Sequence, residues 1–550
     1  MTQFFARVRR RVRRRALRSL VLIGALGAAS LSAACVFSRT EVRAVERPTA
    51  DAATPTRIKS PLKAHLSDGS TVVFRTGATV TRDSLTGDGS SYALMSAMSR
   101  AVSAVPMDSV VGVETFESKV NVAPTVAVSI AGTVAASFGA ALLAVAIFGS
   151  CPTVYSDTGA TGELQAEGFS YSIAPLMEQR DVDPLRVRAD STGRVRLELR
   201  NEALETHYIN HIELLAIRHA DHERIVPDQS GRPVLVSGFA SVGDATDRAG
   251  RDVRAALRSR DGTLYSTDPR VMRGASAGDL DDWIDVRVDD LPAGDSVAVL
   301  LRLRNSLLNT VLLYNGMLGG RDAADWLHEG LGQFGTTAEM ALWYRRTMGL
   351  RASVEGVGTT DAIHGATARL GDVGPIAFRD VALVLPRSAV HARTARIRLQ
   401  FVADNWRIDE VRVAGTVSRP AVTTLAVERV VVPTPAVGHG PALDTSAVSA
   451  IAAADTRYLE TRPSQRMVLE FAPDHRATLR TAQPADSTTT YLIAWQGWYR
   501  EWIRGDWLAN PTRTEPFKPG DAAVLTALHR WTERKDTFER AFYASRIPVR

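Results

Sequence analysis

The sequence predicts a mainly β protein built of several small β domains: an SH3- or Sm-like barrel and a β-sandwich or jelly-roll, with an inserted helical segment and one hydrophobic helix. Three observations carry this expectation. Arg194–Arg200 (RVRLELR) alternates strictly between charged and apolar residues, the period-two pattern of a half-buried strand. Short apolar runs recur along the chain, separated by turn signals such as Asp68-Gly69, Asp261-Gly262 and Pro292-Ala293-Gly294. Helical periodicity is confined to a stretch in the middle and another near the end. The 550 residues, 45% hydrophobic and 23% charged, are globular in composition and allow several folded units.

The first 34 residues read as a signal peptide. Eight arginines between Arg7 and Arg18 precede the uncharged, small-residue run Ser19–Ala34, and Cys35 follows. A basic head, an apolar middle too short for a full span and small residues at a cleavage point define an export signal. Leu31-Ser32-Ala33-Ala34-Cys35 resembles a bacterial lipoprotein box, which implies lipidation of Cys35. Ser32 departs from the aliphatic residue that the box prefers, and ordinary cleavage after Ala34 is the rival reading. The leader holds eight arginines and no acid, so its removal turns the formal charge from +6 to −2. No basic stripe remains to track phosphates, and no nucleic-acid partner is expected. With two cysteines in the whole chain, a disulfide framework is excluded.

Residues 35–60, rich in Ala, Thr, Pro and charge, read as a tether. Residues 61–118 read as a small β-barrel-like domain, with strands at Lys63–Leu66, Thr71–Phe74, Ala78–Thr81 and Val110–Phe116. Residues 120–150 hold the hydrophobic helix, transmembrane or membrane-inserted. Val122–Ser150 carries no charge and is long enough to cross a bilayer at 1.5 Å per residue. A cleaved leader followed by one crossing would return everything after Ser150 to the cytoplasm. Either the segment lies in or on a membrane without crossing, or one of these two readings, the cleaved leader or the membrane segment, is wrong.

Residues 151–305 read as a β-sandwich, 306–350 as a helical segment, and 351–418 as the sandwich's continuation. Residues 419–455 read as a linker, and 456–550 as a C-terminal α+β domain ending in an amphipathic helix near Ala522–Tyr543. Three runs in this region are Cys151-Pro152-Thr153-Val154-Tyr155-Ser156, Asn201-Glu202-Ala203-Leu204-Glu205-Thr206-His207-Tyr208-Ile209-Asn210, and Asp404-Asn405-Trp406-Arg407-Ile408-Asp409-Glu410-Val411. Together they resemble a group of large exported bacterial proteins with no assigned activity. The resemblance covers roughly residues 151–415 and implies architecture and setting, not chemistry.

The densest polar cluster runs from Glu205 to Glu223. On a regular strand His207, His211 and Glu213 share one face, a weak candidate for a metal site or for a metal-dependent hydrolase. His328-Glu329 opens a zinc-protease helix motif, but Gly332 stands where its second histidine belongs. Trp495, Trp498, Tyr499, Trp502 and Trp507 form an aromatic segment that could bind carbohydrate or fill a core. No phosphate loop, dinucleotide fingerprint or serine elbow occurs, so no catalytic residue and no cofactor is expected. The sequence thus points to a membrane-anchored cell-envelope lipoprotein with a structural or interaction role. Its expected partners are membrane lipid, through Cys35 and Val122–Ser150, and envelope proteins or polysaccharide.

Overall fold

The computed structural model describes residues 38–46, 55–59, 62–66, 71–74, 76–92, 99–120, 151–156, 162–203, 205–292, 294–312, 334–356, 367–386, 393–432, 442–462, 465–474, 487–501 and 520–544. Two compact units divide the chain near residue 143. The protein is mainly β, with curled, nearly closed sheets and few helices.

The first unit is one eight-stranded sheet. Its strands are β1 (Ser38–Glu46), β2 (Thr56–Ile58), β3 (Leu62–Leu66), β4 (Thr71–Phe74), β5 (Ala78–Val80), β6 (Ser84–Tyr92), β7 (Ser99–Pro106) and β8 (Val110–Val120). They lie in the order β1-β8-β3-β4-β6-β5-β2, with β7 on β6. Alternate residues build the core: Leu62 and Ala64, Val72 and Phe74, Ala78 and Val80. The segment expected as a tether thus supplies β1, which pairs antiparallel with β8 from Ser38 to Glu46, and β2. The Val and Arg alternation of β1 is itself a strand pattern, and its Ala-, Pro- and charge-rich surroundings conceal it.

The second unit contains strands β9 (Thr153–Ser156), β10 (Leu164–Glu167), β11 (Gln179–Leu185), β12 (Arg196–Arg200), β13 (Glu205–Ala220), β14 (Arg224–Pro227), β15 (Pro233–Asp247), β16 (Asp281–Asp289), β17 (Ser296–Asn305), β18 (Leu350–Gly356), β19 (Thr367–Leu370), β20 (Arg379–Pro386), β21 (Ala395–Val402), β22 (Trp406–Ser418), β23 (Thr423–Val432), β24 (Ala442–Leu443), β25 (Leu459–Thr461), β26 (Arg466–Phe471) and β27 (Ser487–Glu501). They form two sheets. One runs β10-β9-β12-β26-β23-β13-β27-β11, and the other β19-β18-β21-β16-β15-β22-β17-β20. In each, the two edge strands approach one another, so the sheet nearly closes.

The barrel-like second sheet is filled by its own inward residues, among them Val286, Val299, Leu301, Leu383, Leu399 and Trp406. Its outer face, with Val234, Ala298 and Ala414, is buried as well. On the first sheet the corresponding outer residues are Val182, Leu215, Ile217 and Leu492. Strand β14 contributes Val226 to one of these outer clusters and Ile225 to the other, and it touches β11, β13 and β20. Alternating burial on both faces is why β17 reads as a near-continuous apolar run.

The expected linker and separate C-terminal domain are not what the fold contains. β23 lies inside the first sheet, burying Leu425, Val427 and Val430. β26 pairs with β12, and β27 lies between β13 and β11. Val- and Thr-rich composition is shared by strands and by extended linkers, so composition alone does not separate them. Two longer helices are described: α1 (Phe334–Thr347) and α2 (Asp521–Ala544). Among the described residues no helix is long and apolar enough to cross a membrane. Residues 1–34, Cys35 and Val122–Ser150 lie outside the described residues.

Candidate functional site

The Glu205–Glu223 cluster does not converge. β13 pairs with β27, and the register shifts between Ile209 and His211, so one extra residue, Asn210, bulges out. His207 stands opposite Tyr499, whereas His211 and Glu213 stand opposite Gln496 and Ala494. Because faces alternate along β27, the bulge puts His207 on one face and the other two on the reverse face. The bulge is fixed by Asn210, whose amide donates to the Glu178 carboxylate (3.0 Å) and the Asp455 carbonyl (2.8 Å) and accepts from the Asp455 N–H (2.8 Å).

Several members of the cluster have local partners instead. His207 is fully buried, with Nε2 3.2 Å from the Glu205 carboxylate and Nδ1 3.1 Å from the Thr461 hydroxyl. Glu213 pairs with Arg180 at 3.0 Å. His219 bridges the Ala220 carbonyl and the Thr490 hydroxyl, both at 2.8 Å. No group of three metal-ligating side chains occurs among the described residues. His328 and Glu329 lie outside them.

The aromatic segment is core where it is described. Trp495, Trp498 and Tyr499 are buried on β27. Trp498 stacks on Tyr208, its cross-strand partner, with centroids 4.2 Å apart. Trp495 packs against Phe169 at 5.0 Å and donates Nε1–H to Asp183 at 3.1 Å. Gly497 has to be glycine here, since a Cβ would come within 2.5 Å of the Tyr208 carbonyl and 2.9 Å of the Phe169 ring. Trp502 and Trp507 lie outside the described residues.

The three runs beginning at Cys151, Asn201 and Asp404 prove to be braces. Glu202 accepts from the hydroxyls of Thr153 (2.8 Å) and Tyr155 (2.9 Å), joining the first run to the second. Asn201 donates to the carbonyls of Glu205 and Thr461. Asp404, fully buried at φ +59°, anchors the third run. It takes both guanidinium nitrogens of Arg407 (2.9 and 3.1 Å), the Trp531 Nε1–H (2.7 Å) and the Lys535 ammonium (3.4 Å), the last two from α2.

The second unit holds several cavities, among them two that gather polar side chains. The first lies where Cys151, Asn305, Asn309, Tyr344, Asp372 and Tyr499 meet, and its volume is about 50 Å³. Burial pushes the Asp372 carboxyl up to about 7, against the hydrogen bonds of Tyr344 and Asn309. Asn309 donates to it at 2.6 Å, leaving its own Oδ1 and the Asn305 Nδ2 without a protein hydrogen bond. Burial, and then the charge of Glu205, pushes the Cys151 thiol well up, which disfavours the reactive thiolate. With liquid water occupying about 30 Å³ per molecule, this space suits one or two waters and not a substrate. Nearby, Arg379 of β20 clamps Asp183 (2.6 Å) and Asp181 (3.2 Å) of β11, tying the two sheets together. Burial raises Asp183 to about 6 even against the Arg379 charge. The second chamber is an outward groove of about 420 Å³ beside Trp283, Arg345, Arg346, Arg351 and Arg369.

Sequence reading missed Asp372, Asn305, Asn309 and the arginine groove. None belongs to a motif, and each set is assembled from strands and loops far apart in sequence. No protein-family model matches the chain, and comparison with curated proteins finds no match.

Proposed function

We propose that the protein is an exported, lipid-anchored component of the cell envelope, held at Cys35 and acting through structure or interaction. One observation carries this reading: eight arginines, an uncharged small-residue run and then Cys35 stand in the order that export and acylation require. The internal polar contacts of the second unit support it further. Glu202, His207, Asp183, Arg379 and Asp404 each close an internal brace or hold the sheets together, the work expected in a rigid presenting scaffold. A carbohydrate role for the aromatic segment loses its support where Trp495 and Trp498 are core residues. The hydrolase reading loses its support where His207 parts from His211 and Glu213.

Radiolabelled palmitate tests the anchor. Label is expected in the wild-type chain and lost in Cys35→Ala, with the protein moving from the membrane to the soluble fraction. Label persisting in Cys35→Ala, or a mature chain that still begins at Met1 in the soluble cell extract, overturns the reading.

A further inference from the structure

The groove beside α1 is a large polar concavity in which arginines outnumber the acids lining it. Across four neighbouring strands, β19, β18, β21 and β16, Arg369 faces Arg351, Arg351 faces Gln400, and Gln400 faces Trp283. Directly opposed residues have Cβ atoms about 5 Å apart, and like charges placed so are destabilising. Arg345 and Arg346, in the last turn of α1, line the same space. A helix C-terminus favours cations there, but that accounts for neither Arg351 nor Arg369.

Several arginines elsewhere in this unit are answered by acids. Arg248 pairs with Asp279 at 2.8 Å, Arg398 with Asp285 at 2.7 Å, and Arg302 with Asp409 at 3.0 Å, while Arg260 reaches both Asp380 and Glu410. Among the described residues, Arg345, Arg346, Arg351 and Arg369 make no ion pair. Asp279, at the rim, is already held by Arg248, so four guanidiniums face two carboxylates, Asp281 and Asp521. At about 420 Å³ the groove falls in the size range of small-ligand sites.

We propose that this groove binds a phosphoryl oxyanion, either on a soluble molecule or on a phospholipid head group. A phosphoryl group brings about two negative charges and three strong acceptor oxygens on one centre, matching the excess of guanidinium forks. Arginine is the side chain suited to this, since its planar donors meet such oxygens in pairs. The assignment stands independently of the anchor at Cys35.

The full chain in non-ionic detergent, titrated calorimetrically with inorganic pyrophosphate at low salt, provides the soluble arm. Co-sedimentation with phosphatidylglycerol vesicles, measured against phosphatidylcholine vesicles, provides the lipid arm. Binding in either arm is expected, weakened at least tenfold by Arg351→Gln with Arg369→Gln and unchanged by Arg396→Gln on the same sheet. Saturable pyrophosphate binding identifies a soluble source, and phosphatidylglycerol-dependent retention alone identifies the head group; both support the site. The paired substitution Arg345→Gln with Arg346→Gln gives a second route, and unchanged thermal melting certifies each fold. No binding in either arm, equal binding by the double variants, or an equal loss in Arg396→Gln overturns the proposal.

Discussion

Asp372 shows what a single carboxyl does when the fold encloses it. In the unfolded chain it ionises near 4, whereas burial holds it protonated up to about 7 in the folded protein. Between those values the folded state binds the extra proton. Its contribution to stability is therefore full below about pH 4, falls as the pH rises toward 7, and is flat above. Asp372→Asn removes that slope. Relative to wild type, the variant is expected to gain roughly 2–3 kcal/mol at pH 8 compared with pH 5, read by urea denaturation at both. Asp183, also raised, leaves a residual slope in the variant. Nothing in the run Leu370-Gly371-Asp372-Val373-Gly374 marks this residue, because its environment comes from Asn309 and Tyr344, remote in sequence. Cys151 is the converse case: a thiol that stands out in the sequence is chemically quiet once buried.

Among the elements, regular alternation was legible and its interruptions were not. The alternating run Arg194–Arg200 and the expected strands at Lys63–Leu66, Thr71–Phe74 and Ala78–Thr81 match β12, β3, β4 and β5 to within a few residues. The bulge at Asn210 was hidden, since an extra residue leaves the sequence pattern almost unchanged while it reverses every later side chain. Helix α2 was visible as an amphipathic stripe. Val524, Leu528, Trp531, Phe538 and Phe542 are its buried face, but its anchor on Asp404 needed the fold. Removing that anchor leaves the Arg407 guanidinium, itself buried, without its main counter-charge. Asp404→Ala is expected to cost roughly 3–5 kcal/mol. Trp531→Phe, which removes one donor to a charged acceptor, is expected to cost about 1.5–3 kcal/mol and to expose α2 to limited proteolysis. Equal cleavage of α2 in wild type and both variants would refute the anchor.

At the scale of the whole molecule, the second unit is two nearly closed sheets that share buried outer faces, and strands from both ends of the region complete one of them. β27 sits between β13 and β11, although the run from Ala220 to Ser487 separates it from β13 in sequence. A chain terminated after Asp474 is therefore expected to lose the second unit's cooperative melting transition entirely, not merely a C-terminal portion of it; calorimetry on the truncated and full chains checks this. The order of strands also sets a timetable. A polypeptide threaded through a membrane pore from its N-terminus delivers β11 and β13 early, and they must wait, edge exposed, until nearly the last segment emerges. If the chain is exported as proposed, the half-delivered polypeptide would need a holder on the far side to shield its open edges from its neighbours.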